Sequence, residues 1–172
     1  MLLKKLKKCI TFVLLFKNLL IVDIIILLWV NKMNDEYIVE MFRLANDAFE
    51  QDEIPVAARV VRNNQIIGVG INSRHKTKNV MGHAEINAIE QACAFVGDWR
   101  LDECDLYVTL EPCMMCTGAI LESRIKKVYY LCNRTNVRFK TSDYIDLIKI
   151  ENVEYEDKYL KLLQLFFENK RN

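Results

Sequence analysis

Residues 106–116 read Leu106-Tyr107-Val108-Thr109-Leu110-Glu111-Pro112-Cys113-Met114-Met115-Cys116. The first five are β-favouring and read as a short strand, Leu106–Leu110. Proline is tolerated at the start of a helix, so Pro112 opens a second element over Cys113–Glu122. Its two cysteines then stand three apart in the first helical turn. Val128–Leu131 supplies the next strand.

Upstream, His83–Val96 carries Ile86, Ala88, Ile89, Ala92 and Phe95 at helical spacing. Before it, Val56–Arg62 and Gln65–Ile71 are two β-rich runs around Asn63-Asn64, a hairpin turn because asparagine tolerates positive φ. Residues 72–82 are polar and turn-like. Tyr37–Gln51 places Ile38, Met41, Phe42, Ala45, Ala48 and Phe49 on one helical face, and Pro55 blocks its continuation. Downstream, Cys132–Ser142 reads as a loop, Ile148–Ile150 as a last short strand and Lys158–Asn169 as an amphipathic helix. The order α-β-β-α-β-α-β-β-α implies an α/β fold: a mixed sheet with helices on both faces.

The chain has 172 residues, which is one domain or one domain with an appendage. Hydrophobic residues make up 52% and charged residues 27%, with only five glycines and two prolines. That composition excludes disordered, collagen-like and mucin-like chains. No internal repeat is visible, which excludes solenoids and propellers.

Charge divides the chain unevenly. Residues 1–32 carry six lysines against Asp23, a net +5, whereas residues 33–172 carry 18 basic and 22 acidic side chains, a net −4. The first segment joins a lysine cluster to an apolar stretch, Cys9–Val30, long enough to cross a bilayer. Lys17, Asn18 and Asp23 interrupt it, and mid-membrane charges are unfavourable by a few kcal/mol each. Three readings stand for it: translated sequence upstream of a start at Met33, a membrane anchor, or a cleaved signal. The division is therefore 1–32 as a basic hydrophobic segment and 33–172 as the folded domain.

The chain has two histidines, and one lies in His83-Ala84-Glu85. Alone, a His-x-Glu or a Cys-x-x-Cys carries little meaning. Together, two thiolates at one helix start and an imidazole at another make three ligands for a zinc ion, His83, Cys113 and Cys116. Three protein ligands leave the open position that a catalytic zinc keeps for water. Both helix N-termini favour thiolate over thiol. Glu85, two residues from the ligand, can move a proton without ligating the metal. His-x-Glu with Pro-Cys-x-x-Cys is the signature of zinc nucleobase deaminases. His75 lies in the polar loop and is a poor fourth ligand. Cys93, Cys104 and Cys132 form no disulfide framework, so a reducing, cytoplasmic compartment is the default. The Gly68-x-Gly70 pair lacks a third glycine and is not a dinucleotide site.

From Met33 on, the sequence resembles the cytidine deaminase-like superfamily and, within it, bacterial tRNA adenosine deaminases. The likeness rests on Glu53-Ile54-Pro55-Val56, Ile67-Gly68-Val69-Gly70-Ile71-Asn72, His83-Ala84-Glu85-Ile86, the whole of 106–116, Gly118-Ala119-Ile120 and Ser123-Arg124-Ile125, and the last helix with Leu165-Phe166-Phe167 also fits. It implies a three-layer α/β/α sandwich with a mixed five-stranded sheet and one zinc per subunit on His83, Cys113 and Cys116. Glu85 would be the proton shuttle. Asn72 would hydrogen-bond the nucleotide and the Ala84 backbone would hold the base. It further implies a homodimer acting on the tRNA anticodon loop. Any membrane contact would come only through residues 1–30, which lie outside the resemblance.

Three features depart from that pattern. Arg59 stands on a core strand and needs a partner or a route to water. The 132–142 loop lacks the expected glycines and aspartate. The net −4 is low for a tRNA binder, although Arg134, Arg138 and Lys140 around Phe139 offer phosphate and base contacts. The expected function is zinc-dependent deamination of wobble adenosine to inosine. The alternatives are a deaminase of a free base, nucleoside or nucleotide of guanine or cytosine type, and a structural metal in a binding protein.

Overall fold

The computed structural model describes residues 36–135 and 140–171. The chain divides into the units Met1–Glu36 and Tyr37–Asn172. The readings of residues 1–32 fall outside the described residues. Among those described, no helix is long and apolar enough to cross a membrane.

Helix α1 occupies residues 36–50. Strands β1 (Ala57–Arg62) and β2 (Gln65–Ile71) follow as a hairpin. Asn63 and Asn64 have φ of 50° and 62°, the left-handed pair that a tight hairpin turn requires. A one-turn helix, α2 (Arg74–Thr77), interrupts the polar stretch. Then come α3 (Ala84–Val96), β3 (Cys104–Leu110), α4 (Met114–Glu122), β4 (Lys127–Cys132), a 3-10 turn (Thr141–Asp143), β5 (Asp146–Lys149) and α5 (Val153–Asn169).

The five strands form one mixed sheet in the order β2-β1-β3-β4-β5. β1 is antiparallel to β2 and β3, whereas β3–β4 and β4–β5 are parallel. Period-two alternation sends successive side chains to opposite faces. Ala58, Val60, Leu106, Val108 and Val128 meet α3 and α4 through Ala84, Ala88, Ala92 and Ile120. Ala57, Val61, Tyr107 and Leu131 meet α1 and α5 through Ile38, Met41, Ala45, Tyr159 and Leu162. The described residues from Tyr37 on form the expected α/β/α sandwich.

Element boundaries moved in places. α5 begins at Val153, five residues before the sequence expectation, because Asn152 caps it by accepting the Tyr155 N–H at 3.1 Å. Glu154 and Glu156 suit its first turn. β3 starts at Cys104, where Asp105 breaks the apolar pattern. β5 lies earlier than expected, at Asp146–Lys149. Arg59 finds its partner in α1, where Glu40 Oε1 lies 3.1 Å from a guanidinium nitrogen.

Candidate active site

α3 is brought against β2 by two absences of side chain. A Cβ on Gly68 would lie 2.2 Å from the Ala88 carbonyl oxygen, and one on Gly70 would lie 2.1 Å from that of Ala84. Only glycine permits this approach, so the paired glycines are a helix-packing device. Asn87 straps the same helix down, donating to the Ile71 carbonyl at 2.7 Å and Ser73 Oγ at 3.0 Å. The N-terminus of α3 is thereby fixed beside the end of β2, where Asn72 sits.

His83 and Cys113 occupy equivalent places, each the extended residue just before a helix, at α3 and α4. Cys116 is one turn into α4 and buried. Cys113 Sγ lies 3.5 Å from Cys116 Sγ and 3.7 Å from His83 Nδ1, and Cys116 Sγ lies 3.5 Å from the same nitrogen. The edges of a tetrahedron around zinc, with Zn–S near 2.3 Å and Zn–N near 2.0 Å, are about 3.8 Å for S···S and 3.5 Å for S···N. The donor triangle fits that ion. Among the described residues these three are the only such group of potential ligands. His75 is exposed and stands apart from it.

The electrostatics suit a cation. The hydrogen bond from Cys116, with help from His83, holds the Cys113 thiol down to about 3. The hydrogen bond with Cys113, with burial, pushes the Cys116 thiol well above its ordinary value. The Cys113 hydrogen bond raises the His83 imidazole. Such donors bind a divalent metal with release of their protons to solvent.

Glu85 is the second residue of α3, and only 4% of its surface is exposed. Burial raises its pKa, so the carboxyl holds a proton more readily than an ordinary glutamate does. With His83 and Asn72 it lines a cavity of about 280 Å³. Arg74, Glu111, Asn133, Arg134 and Thr135 form its polar rim, and Leu160, Leu163 and Phe167 of α5 form an apolar wall. Ala84 is wholly buried at the first position of α3 and does not line the cavity.

The family model for MafB19-like deaminases matches residues 32–171. This chain belongs to that family. The chain is 43% identical over 94 residues to the tRNA-specific adenosine deaminase of Bacillus subtilis, covering 55% of this chain and 58% of that one. It therefore spans about three fifths of that relative's length. A solved structure from studies of A-to-I editing by tRNA:A34 deaminases superposes with a TM-score of 0.66 at 30% identity, covering 72% of this chain and 99% of the other. A guanine deaminase from Bacillus subtilis superposes with a TM-score of 0.57 at 32% identity, covering 65% and 71%. This MafB19-like member thus shares its mixed sheet with deaminases of both a polynucleotide and a free base.

Sequence reasoning gave no role to Glu53. It is 1% exposed, accepts the Asn72 Nδ2–H at 2.9 Å and accepts the Lys76 backbone N–H at 2.7 Å. Its only signal was its place in the resembling stretch Glu53-Ile54-Pro55-Val56. Arg74, Glu111 and the α5 wall were also missed, because they reach the cavity from distant parts of the chain. Of the basic loop, Arg134 lines the cavity and Lys140 is exposed, whereas Arg138 and Phe139 lie outside the described residues.

Proposed function

We propose that this protein deaminates adenosine to inosine at the wobble position of tRNA. The observation that carries the reading is the buried Glu85 carboxyl, two residues from His83, opening with Asn72 into one cavity. A structural metal site has no use for a proton-holding acid beside it.

Hydrolytic deamination adds water at C6 of adenine and expels ammonia. One proton must leave the water and one must reach the departing nitrogen. Glu85 does both: its carboxylate takes the first, and its raised proton affinity keeps that proton available for the amine. His83, Cys113 and Cys116 would hold a zinc ion. When bound, zinc supplies Lewis acidity that makes a water nucleophilic near neutral pH. Asn72, its amide oriented by Glu53, hydrogen-bonds the nucleotide, and the Ala84 backbone at the start of α3 steadies the base. The apolar wall from α5 packs against the base and excludes bulk water.

Arg74 and Arg134 form no ion pair with a carboxylate among the described residues, although both stand on the cavity rim. They are free to meet phosphates of an anticodon loop. The names of the tRNA-specific and tRNA:A34 relatives support this substrate. Action in the cytoplasm as a homodimer belongs to the same reading.

The test incubates zinc-loaded protein with an anticodon stem-loop carrying wobble adenosine and scores inosine. Phosphate contacts also make KM rise steeply with salt. Ammonia from guanine or cytidine, with no inosine, would replace the reading with a free-base or nucleoside deaminase, to which the guanine deaminase likeness points.

A further inference from the structure

We infer that Glu111 is a positioning residue for substrate choice, which fixes Asn133 and Arg134 on the cavity rim and acts through Arg134 on the bound polynucleotide. The inference rests on the tRNA reading above.

β3 and β4 pair in parallel up to Leu110 opposite Cys132. One further rung is half made: the Glu111 N–H donates to the Cys132 carbonyl at 2.9 Å. A regular parallel ladder would complete it by sending the Arg134 N–H to the Glu111 backbone carbonyl. Instead the Arg134 N–H is taken at 3.2 Å by Oε2 of the Glu111 side chain. The carboxylate stands in for a main-chain acceptor and reaches further than one. The chain leaves the sheet at this rung, and Asn133 and Arg134 come to line the same cavity as Asn72 and Glu85.

Other contacts hold the same place. Tyr130 Oη donates to Asn133 Oδ1 at 2.9 Å. On the returning side, Thr141, wholly buried, donates its hydroxyl to the Pro112 carbonyl at 3.3 Å. Both stems of the segment after β4 are thus fastened to Glu111-Pro112, the dipeptide that runs into Cys113. The rim cation and the metal-ligating cysteine share one rigid mount. The Arg134 guanidinium has no carboxylate ion pair among the described residues, which leaves its charge for a ligand.

The test is a mutant cycle on the zinc-loaded full chain with an anticodon stem-loop RNA. Glu111→Met keeps the bulk and removes the acceptor. Glu111→Gln keeps an acceptor oxygen and removes the charge. Arg134→Ala removes the guanidinium and keeps the N–H. Zinc per chain and melting temperature are read for every variant. Glu111→Met is expected to raise KM about tenfold with kcat within about threefold and zinc unchanged. Glu111→Gln is expected to restore KM to within about twofold of the parent, and Glu111→Met to add less than about twofold on the Arg134→Ala background. A fall in kcat at unchanged KM, no rescue by Gln, or full multiplication of the two effects overturns the inference. So does failure of Glu111→Met to fold while Glu111→Gln folds, because Glu111 is then a residue of the fold. If the parent makes no inosine, the tRNA reading itself falls and takes this inference with it. An active parent with an additive cycle removes the inference alone.

Discussion

Glu53 Oε2 accepts a hydrogen bond from Asn72 Nδ2 at 2.9 Å, with 1% and 5% of the two residues' surfaces exposed. One carboxylate thereby sets the orientation of the amide that faces the cavity. Its other oxygen takes the Lys76 N–H and holds the start of α2 in place. Glu53→Ala leaves both donors without their acceptor. The expected loss is about 2–3 kcal/mol of stability, from unsatisfied buried groups. Urea denaturation reads the first effect. A KM rise on the folded fraction reads the misoriented Asn72.

Gly70→Ala tests the packing that places the candidate metal ligands. A Cβ there meets backbone, the Ala84 carbonyl oxygen at 2.1 Å and the Ala88 nitrogen at 2.6 Å, so α3 must shift. His83 and Glu85 move with it. The expected result is a stability loss of about 1–3 kcal/mol, the range for overpacking, together with weaker zinc binding. Normal zinc affinity in a folded Gly70→Ala variant would show that α3 is not held where the glycines put it.

Arg59 and Glu40 behave as a lopsided pair. The arginine is 7% exposed with its Nε buried and without a hydrogen-bond partner among the described residues, while Glu40 is part-exposed and also pairs with Arg43. Burial lowers the Arg59 pKa, and Glu40 opposes that shift. Glu40→Ala leaves a buried charge uncompensated and is expected to destabilise by about 1–3 kcal/mol, less than for a fully buried pair. Arg59→Leu removes the charge with the site and is expected to be neutral or stabilising. Urea midpoints compare the two; an Arg59→Leu loss larger than that of Glu40→Ala would contradict this account.

Cys132 gives a pH dependence. Burial pushes its thiol up to about 12, well above an unfolded thiol. Between about pH 9 and 12 the unfolded chain therefore releases this proton and the folded chain keeps it, so stability falls as pH rises, by about 1.4 kcal/mol per unit for one proton. Below that window the contribution is fully present. Cys132→Ala is expected to flatten this part of the stability curve by that slope, read from urea melts at intervals from pH 8 to pH 11. An unchanged slope would assign the alkaline loss to other groups.

The sequence carried the chemistry further than the geometry. That His83, Cys113 and Cys116 gather as one donor cluster was legible because metal-binding chemistry draws on few residue types, and the Asn63-Asn64 turn because only positive φ closes it. Gly68 and Gly70 were visible, but their purpose required knowing which helix lies on β2. Glu53 and Glu111 were illegible as working residues, because what matters is which backbone N–H each carboxylate meets across the fold. The start of α5 was hidden because Glu154, Glu156, Asp157 and Lys158 dilute the apolar period that its later turns display.

The central claim is that Glu85 works on an adenosine carried by RNA. The most direct measurement compares inosine formation in an anticodon stem-loop by the parent and by Glu85→Gln, each with zinc per chain quantified. The account expects inosine from the parent, a loss of about 10²-fold or more in Glu85→Gln, and equal zinc in both. Equal rates at equal zinc, or no inosine from a zinc-loaded parent, would contradict it.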